Sequence, residues 1–228
     1  MLRATTLSRA AVAAALAIAF TASVAGAALR SPQVSFVSGP LQAQLTALDG
    51  GINVTTDQQD AQVFTSGYTG NTDFTLYIKN VAATSYGLYT GTDPGPTLNP
   101  LFSPAALNGY RALCHFDNTN GVTVQFQDQD GNPIGSTFYS PINRNYFGFY
   151  VQGGSGTWFS QDGRNGPNPQ VLAFNGTGAN YGETFLCFQS TPYNGESSTF
   201  DDAIIVLQSV VPTPTHNSTW GRIKATYR

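Results

Sequence analysis

Short runs of β-branched and aromatic residues, about ten in all, recur along the chain, each broken by Gly, Asn or Pro. They cover Phe74–Ile78, Ser85–Tyr89, Arg111–Phe116, Val122–Phe126, Ile134–Tyr139, Tyr146–Val151, Thr157–Phe159, Val171–Phe174, Thr184–Gln189 and Ala203–Val211. In one of them Val122, Val124 and Phe126 alternate with polar residues, the pattern of a half-buried strand. Asp130-Gly131 behind it marks a hairpin turn. No repeat of fixed period is present. Such spacing predicts an all-β fold, an antiparallel β-sandwich of jelly-roll-like form. One short N-terminal helix is expected: Gly39-Pro40 opens it, Leu41, Leu45 and Leu48 share a face, and Gly50-Gly51 closes it. The Pro-rich stretch Thr92–Pro104 reads as a long loop inside the domain.

Composition supports this class. Charged residues make up 10% of 228 residues, against about 25% in ordinary soluble domains. Only two residues are glutamate, Glu183 and Glu196. A chain so poor in Lys and Glu lacks the residues that favour solvated helices, which argues against an all-α protein or a coiled coil. With a formal charge of −3 it also lacks the basic surface of a nucleic-acid binder.

The N-terminus reads as a signal peptide, residues 1–27. Arg3 and Arg9 supply the positive start, Ala11–Phe20 the apolar segment, and Ala25-Gly26-Ala27 the small-residue cleavage site. Its removal takes the formal charge from −3 to −5. The apolar segment is shorter than the ~20 residues of a membrane span. The expected protein is therefore secreted or held at the cell surface, with no span after leader removal. Residues 28–211 form the expected sandwich domain. Residues 212–228 form a linker, stiffened by Pro212 and Pro214, and a basic tail with Arg222, Lys224 and Arg228.

Few residues suggest covalent chemistry. Cys114 and Cys187 are the only cysteines, and an even count in an exported chain favours a disulfide, with two buried thiols as the alternative. His115 is the only histidine of the domain, and Ser155 lies in a Gly-rich loop without the strand–turn–helix setting of a nucleophile. Glu183 and Glu196, with Asp201 and Asp202 following, offer an acid pair of the kind a glycoside hydrolase needs, with surface acids as the alternative. Asp128-Gln129-Asp130-Gly131-Asn132 begins like a calcium loop, but Tyr139 stands where the twelfth-position Glu belongs, so a hairpin turn is expected. Aromatic residues in or near loops, Trp158 and Tyr193 with Tyr68 and Tyr110, suit sugar rings or a partner surface.

The order of motifs from Tyr146 to Val211 resembles the bacterial secreted family catalogued as domain of unknown function 4114. Phe147-Gly148-Phe149-Tyr150, Thr157-Trp158-Phe159-Ser160-Gln161-Asp162, Val171-Leu172-Ala173-Phe174-Asn175 and Phe200-Asp201-Asp202-Ala203 carry the likeness, with Leu41–Asp60 and Tyr86-Gly87-Leu88-Tyr89 upstream. The resemblance implies a calcium site, and Glu196, Asp201 and Asp202 are the acids left to hold it. The family's other acids are replaced by Gln189, Ser190, Ser197 and Thr199, which lowers the charge such a site needs. Together these readings lead to an exported, non-catalytic sandwich protein that binds at the cell surface or in a matrix. Its expected partner is an extracellular polysaccharide or an envelope or matrix protein. A carbohydrate-binding module is the alternative, and a hydrolase a third.

Overall fold

The computed structural model describes residues 27–67, 70–91, 95–166 and 168–214. The expected leader up to residue 26, Tyr68 and the basic tail lie outside them. Ala27, placed in the leader by sequence, is buried in the core.

One α-helix, α1 (Ser38–Leu48), precedes the strands β1 (Gln58–Gln59), β2 (Ala61–Ser66), β3 (Asn71–Lys79), β4 (Ser85–Thr90), β5 (Thr97–Phe102), β6 (Arg111–Phe116) and β7 (Val122–Gln127). There follow β8 (Pro133–Tyr139), β9 (Gly148–Gly153), β10 (Gly156–Phe159), β11 (Val171–Asn175), β12 (Thr184–Phe188), β13 (Ala203–Gln208) and β14 (Val210–Pro214). All pairings are antiparallel. An eight-stranded sheet runs β1-β11-β12-β13-β3-β6-β7-β8. The opposing layer is a four-stranded sheet, β10-β9-β4-β5, beside the pair β14-β2. Reciprocal bonds between Phe64 and Phe147 (2.8 and 3.1 Å) stitch β2 to the segment leading into β9. The result is the expected all-β sandwich with one short helix.

Side-chain periodicity explains why the large sheet has two different halves. Along β12 and β13 every residue is apolar on both faces except Thr184 and Gln208 at the ends. Leu186, Phe188, Ala203, Ile205 and Leu207 face the core between the layers. Phe185, Cys187, Ile204 and Val206 face a second core on the other side. That second core is closed by Leu41 and Leu45 of α1, both fully buried, and by Phe200. Strands buried on both faces read as unbroken apolar runs. Strands β3, β6 and β7 instead alternate, with Phe74, Leu76, Ala112, Cys114, Val122 and Val124 inside, and their other face stays open to solvent.

The carboxylate of Asp49 ties the end of α1 to the sheet. It accepts from the Gly51 amide (3.1 Å), the Thr177 amide (2.6 Å) and hydroxyl, and Asn180 Nδ2 (3.2 Å). Burial pushes this carboxyl up, but the hydrogen bonds from Thr177, Gly51 and Asn180 together outweigh it and hold it below the usual carboxylate range. A group whose pKa is depressed on folding adds stability above its unfolded pKa of about 3.9 and loses it as pH falls through the folded value. Asp49→Asn should therefore flatten the acid limb of stability below pH ~4, measured as urea midpoints between neutral pH and pH ~3. An unchanged limb would contradict this linkage.

Three sequence expectations are corrected by the fold. The disulfide does not form: both cysteines are free and buried. Cys114 on β6 faces the inter-sheet core, whereas Cys187 on β12 faces the core under α1. Between them lie β13 and β3, so the two strands are about 14 Å apart, beyond the ~7 Å limit for a bridged pair. Burial pushes both thiols well up, out of the reactive range. The native protein should not react with a thiol reagent, both cysteines should react after denaturation, and reductant should leave the melting temperature unmoved.

The Pro-rich stretch is not all loop, because β5 runs through it with Pro100 inside, tolerated on a sheet edge. Nor does the domain stop at Val211. Ser209 adopts a positive φ of 59° and turns the chain out of the large sheet. Strand β14 then pairs with β2 from Val210↔Ser66 to Pro214↔Ala61. Its prolines lie on an edge, where a missing N–H costs no ladder bond.

Candidate functional site on the open sheet face

The helix and the 193–200 loop cover only the β11–β13 half of the large sheet. On the other half, register lines up the outward side chains in rows. One row runs Gln208, Asp73, Leu113, Gln125, Ser136 across β13, β3, β6, β7 and β8. The next runs Asn71, His115, Thr123, Phe138, and a third runs Thr75, Arg111, Gln127. Rows on one face are about 7 Å apart and neighbouring strands about 4.8 Å apart. The array thus presents amides and hydroxyls, with Leu113 and Phe138 among them, across five strands of the sheet.

Its polar groups are held in place. Arg111 makes an ion pair with Asp73, with Nε at 3.4 Å from Oδ1 and Nη2 on Oδ2. Asp73 raises the pKa of the guanidinium, which stays charged. The two charges cancel and leave the face close to neutral. His115 Nδ1 lies 2.6 Å from Asn71 Oδ1. With that oxygen accepting, Nδ1–H donates. Gln208 Nε2 donates to Glu183 (2.6 Å) at the border. A groove of ≈ 470 Å³ crosses this face, lined by Asn71, Asp73, Leu113, His115, Thr123 and Gln125. Exposed aromatics stand at two corners, Tyr77 (43% exposed) and Phe138 (58%).

Of the residues singled out by sequence, His115 is on this face and Glu183 at its border; the others lie elsewhere. Glu196, Asp201 and Asp202 do not gather into a calcium site, and among the described residues no three His, Cys, Asp or Glu side chains come together in a way that could hold a metal. Glu196 is exposed in a short 3-10 helix, Gly195–Ser197. Asp202 Oδ2 accepts from the Ser190 amide (2.6 Å) and hydroxyl (2.8 Å), fixing the start of β13. The backbone carbonyl of Asp201 accepts from Asn80 Nδ2 (2.5 Å). Gln189 does the work that the resemblance gave to an acid: its Oε1 accepts from the amides of Thr199 (3.1 Å) and Phe200 (3.0 Å). A neutral oxygen thus satisfies the loop without a cation.

Trp158 is half-buried against the inter-sheet core and donates through Nε1 to the Ser190 carbonyl (3.2 Å). Tyr193 packs its ring 6.1 Å from Phe200 and donates to the Ser35 carbonyl (3.1 Å). Both aromatics are engaged in packing. Glu183 directly precedes β12, whereas Glu196 lies in the 3-10 helix of the loop that follows the other end of that strand. The Asp128 loop is the expected hairpin turn between β7 and β8, with Oδ1 accepting from the amides of Asp130 (3.0 Å) and Asn132 (2.8 Å). Sequence reasoning missed the open face, although the outward Thr123 and Gln125 of the alternating strand were its one readable sign.

Fold and face together define a β-sandwich with one neutral, amide- and hydroxyl-rich sheet surface. Comparison with protein-family models, with curated proteins and with solved structures gave no match.

Proposed function

We propose that this chain is an exported, non-catalytic β-sandwich protein that binds an extracellular polysaccharide on the open half of its large sheet. The observation that carries the reading is the ordered array of Asn71, His115, Thr123, Gln125 and Gln208 around a groove, with the ion pair of Asp73 and Arg111 internally neutralised. A neutral glycan offers hydroxyls to such amide donors and acceptors, and ring C–H faces to Tyr77 and Phe138. Export rests on the leader pattern of residues 1–27, and the likeness to domain of unknown function 4114 agrees with a cell-surface setting.

The test is a glycan array probed with the full chain, followed by calorimetry on the best neutral polysaccharide. Gln125→Ala and His115→Ala should each weaken binding about tenfold, the worth of one net hydrogen bond. Salt should change the affinity little, because no net charge is matched. Absence of glycan binding, or binding indifferent to both substitutions, would overturn the proposal.

A further inference from the structure

An unpaired sheet edge invites another strand, so proteins blunt their edges with proline, brevity or cover. Nearly every edge of this sandwich is blunted. Strand β1 is two residues long and is covered by the N-terminal arm, through Arg30 N–H to the Gln58 carbonyl (2.8 Å) and Asp60 N–H to the Ala28 carbonyl (2.7 Å). At β10 the side chain of Asn165 acts as a substitute strand, accepting from the Phe159 amide (2.9 Å) and donating to its carbonyl (2.8 Å). Strand β5 carries Pro100, and β14 carries Pro212 and Pro214.

Strand β8 is different. It pairs with β7 alone. Its one proline is the first residue, and Ile134 is bulged where the register shifts beside Phe126 and Gln127. From Gly135 to Tyr139 the strand pairs residue by residue with β7. It carries no charged side chain, and Phe138 is 58% exposed.

We infer that β8 is the contact of a two-fold dimer, in which it pairs antiparallel with β8 of a second copy of this chain. The occupant follows from charge and closure. An uncharged strand meets itself without opposing like charges. Since each described chain has one such edge, isologous pairing uses it up and the assembly stops at two. Full overlap of Gly135–Tyr139 puts the axis at Thr137. Phe138 then lies beside Ser136 of the other copy on the same open face, and Tyr139 opposite Gly135, where a glycine accommodates a ring. The open faces of the two copies become neighbours in one continuous sheet. The contact does not depend on glycan binding and is tested without ligand.

The test is sedimentation equilibrium of the full chain across the micromolar range, with a lysine pair (Ser136→Lys with Phe138→Lys) and a glutamate pair (Ser136→Glu with Phe138→Glu). These positions are exposed, so each variant should keep its cooperative melt. The unaltered protein should show the mass of two chains, each variant alone the mass of one, and their equal mixture the mass of two again. A protein monomeric to millimolar concentration, growth without limit, or variants that still dimerise alone would overturn the inference.

Discussion

Phe149→Ala should lower stability by about 4 kcal/mol, toward the upper part of the range for emptying a fully buried phenylalanine site. Phe149 lies on β9, but its ring meets Phe74 of β3 in the opposite layer, edge-on at 5.4 Å. It also meets Phe64 of β2 at 5.0 Å and Phe147 at 5.9 Å. One side chain thus joins all three sheets of the sandwich, and its neighbours are rings that do not collapse readily into a void. Beyond lost area, each edge-to-face contact contributes on the order of 0.5–1.5 kcal/mol. Urea denaturation should show a lower midpoint with an unchanged slope. A loss under about 1 kcal/mol would mean that the rings repack and that this cluster does not hold the layers together.

The second large effect belongs to the N-terminal arm. Arg30 Nη1 lies 2.6 Å from Asp162 Oδ2, with Nη2 at 3.4 Å from Oδ1, and the two side chains are only 10% and 18% exposed. Asp162→Asn leaves the guanidinium buried without its counter-charge and should cost about 3 kcal/mol. Replacing both together, Arg30→Met with Asp162→Leu, should recover most of that loss, because neither charge then needs desolvation. Thermal melts of the two variants beside the unaltered protein form the check. If the single and double variants melt alike, the pair contributes nothing beyond its packing. The cost falls on the arm that covers β1, so limited proteolysis near Gln33 should also speed up in Asp162→Asn.

Local sequence made much of the architecture legible. The runs at Phe74, Val122, Val171 and Ala203 became β3, β7, β11 and β13, because β-branched and aromatic side chains fit a pleated, packed surface. The leucines of α1 marked its buried face correctly. Prolines misled twice, at Pro100 and Pro212, since a proline forbids a central strand but not an edge, and edge position is set by the whole topology. The cysteines misled because parity says nothing about which face of a sheet each occupies. The resemblance implied a cation ligand at Asp202, but its carboxylate bonds to the Ser190 amide, since a short acid beside a strand is readily taken by local amides.

The open face was the hardest part to read. Thr123 and Gln125 announce an outward side, yet whether that side is bare depends on how far α1 reaches. Leu41 and Leu45 seat the helix over β11–β13, and eleven residues of helix cover no more. Only the register then shows that Asn71, His115 and Thr123 share a row.

The most direct test of this account watches the side-chain amides themselves. In a nitrogen-15 labelled sample titrated with the polysaccharide selected on the array, the NH₂ signals of Asn71, Gln125 and Gln208 should shift progressively. Those of the buried Gln58, Gln59 and Gln170 should stay in place. Shifts gathered instead around Trp158 and Tyr193, with the amides of the open face unmoved, would contradict the placement of the binding surface on β3, β6 and β7.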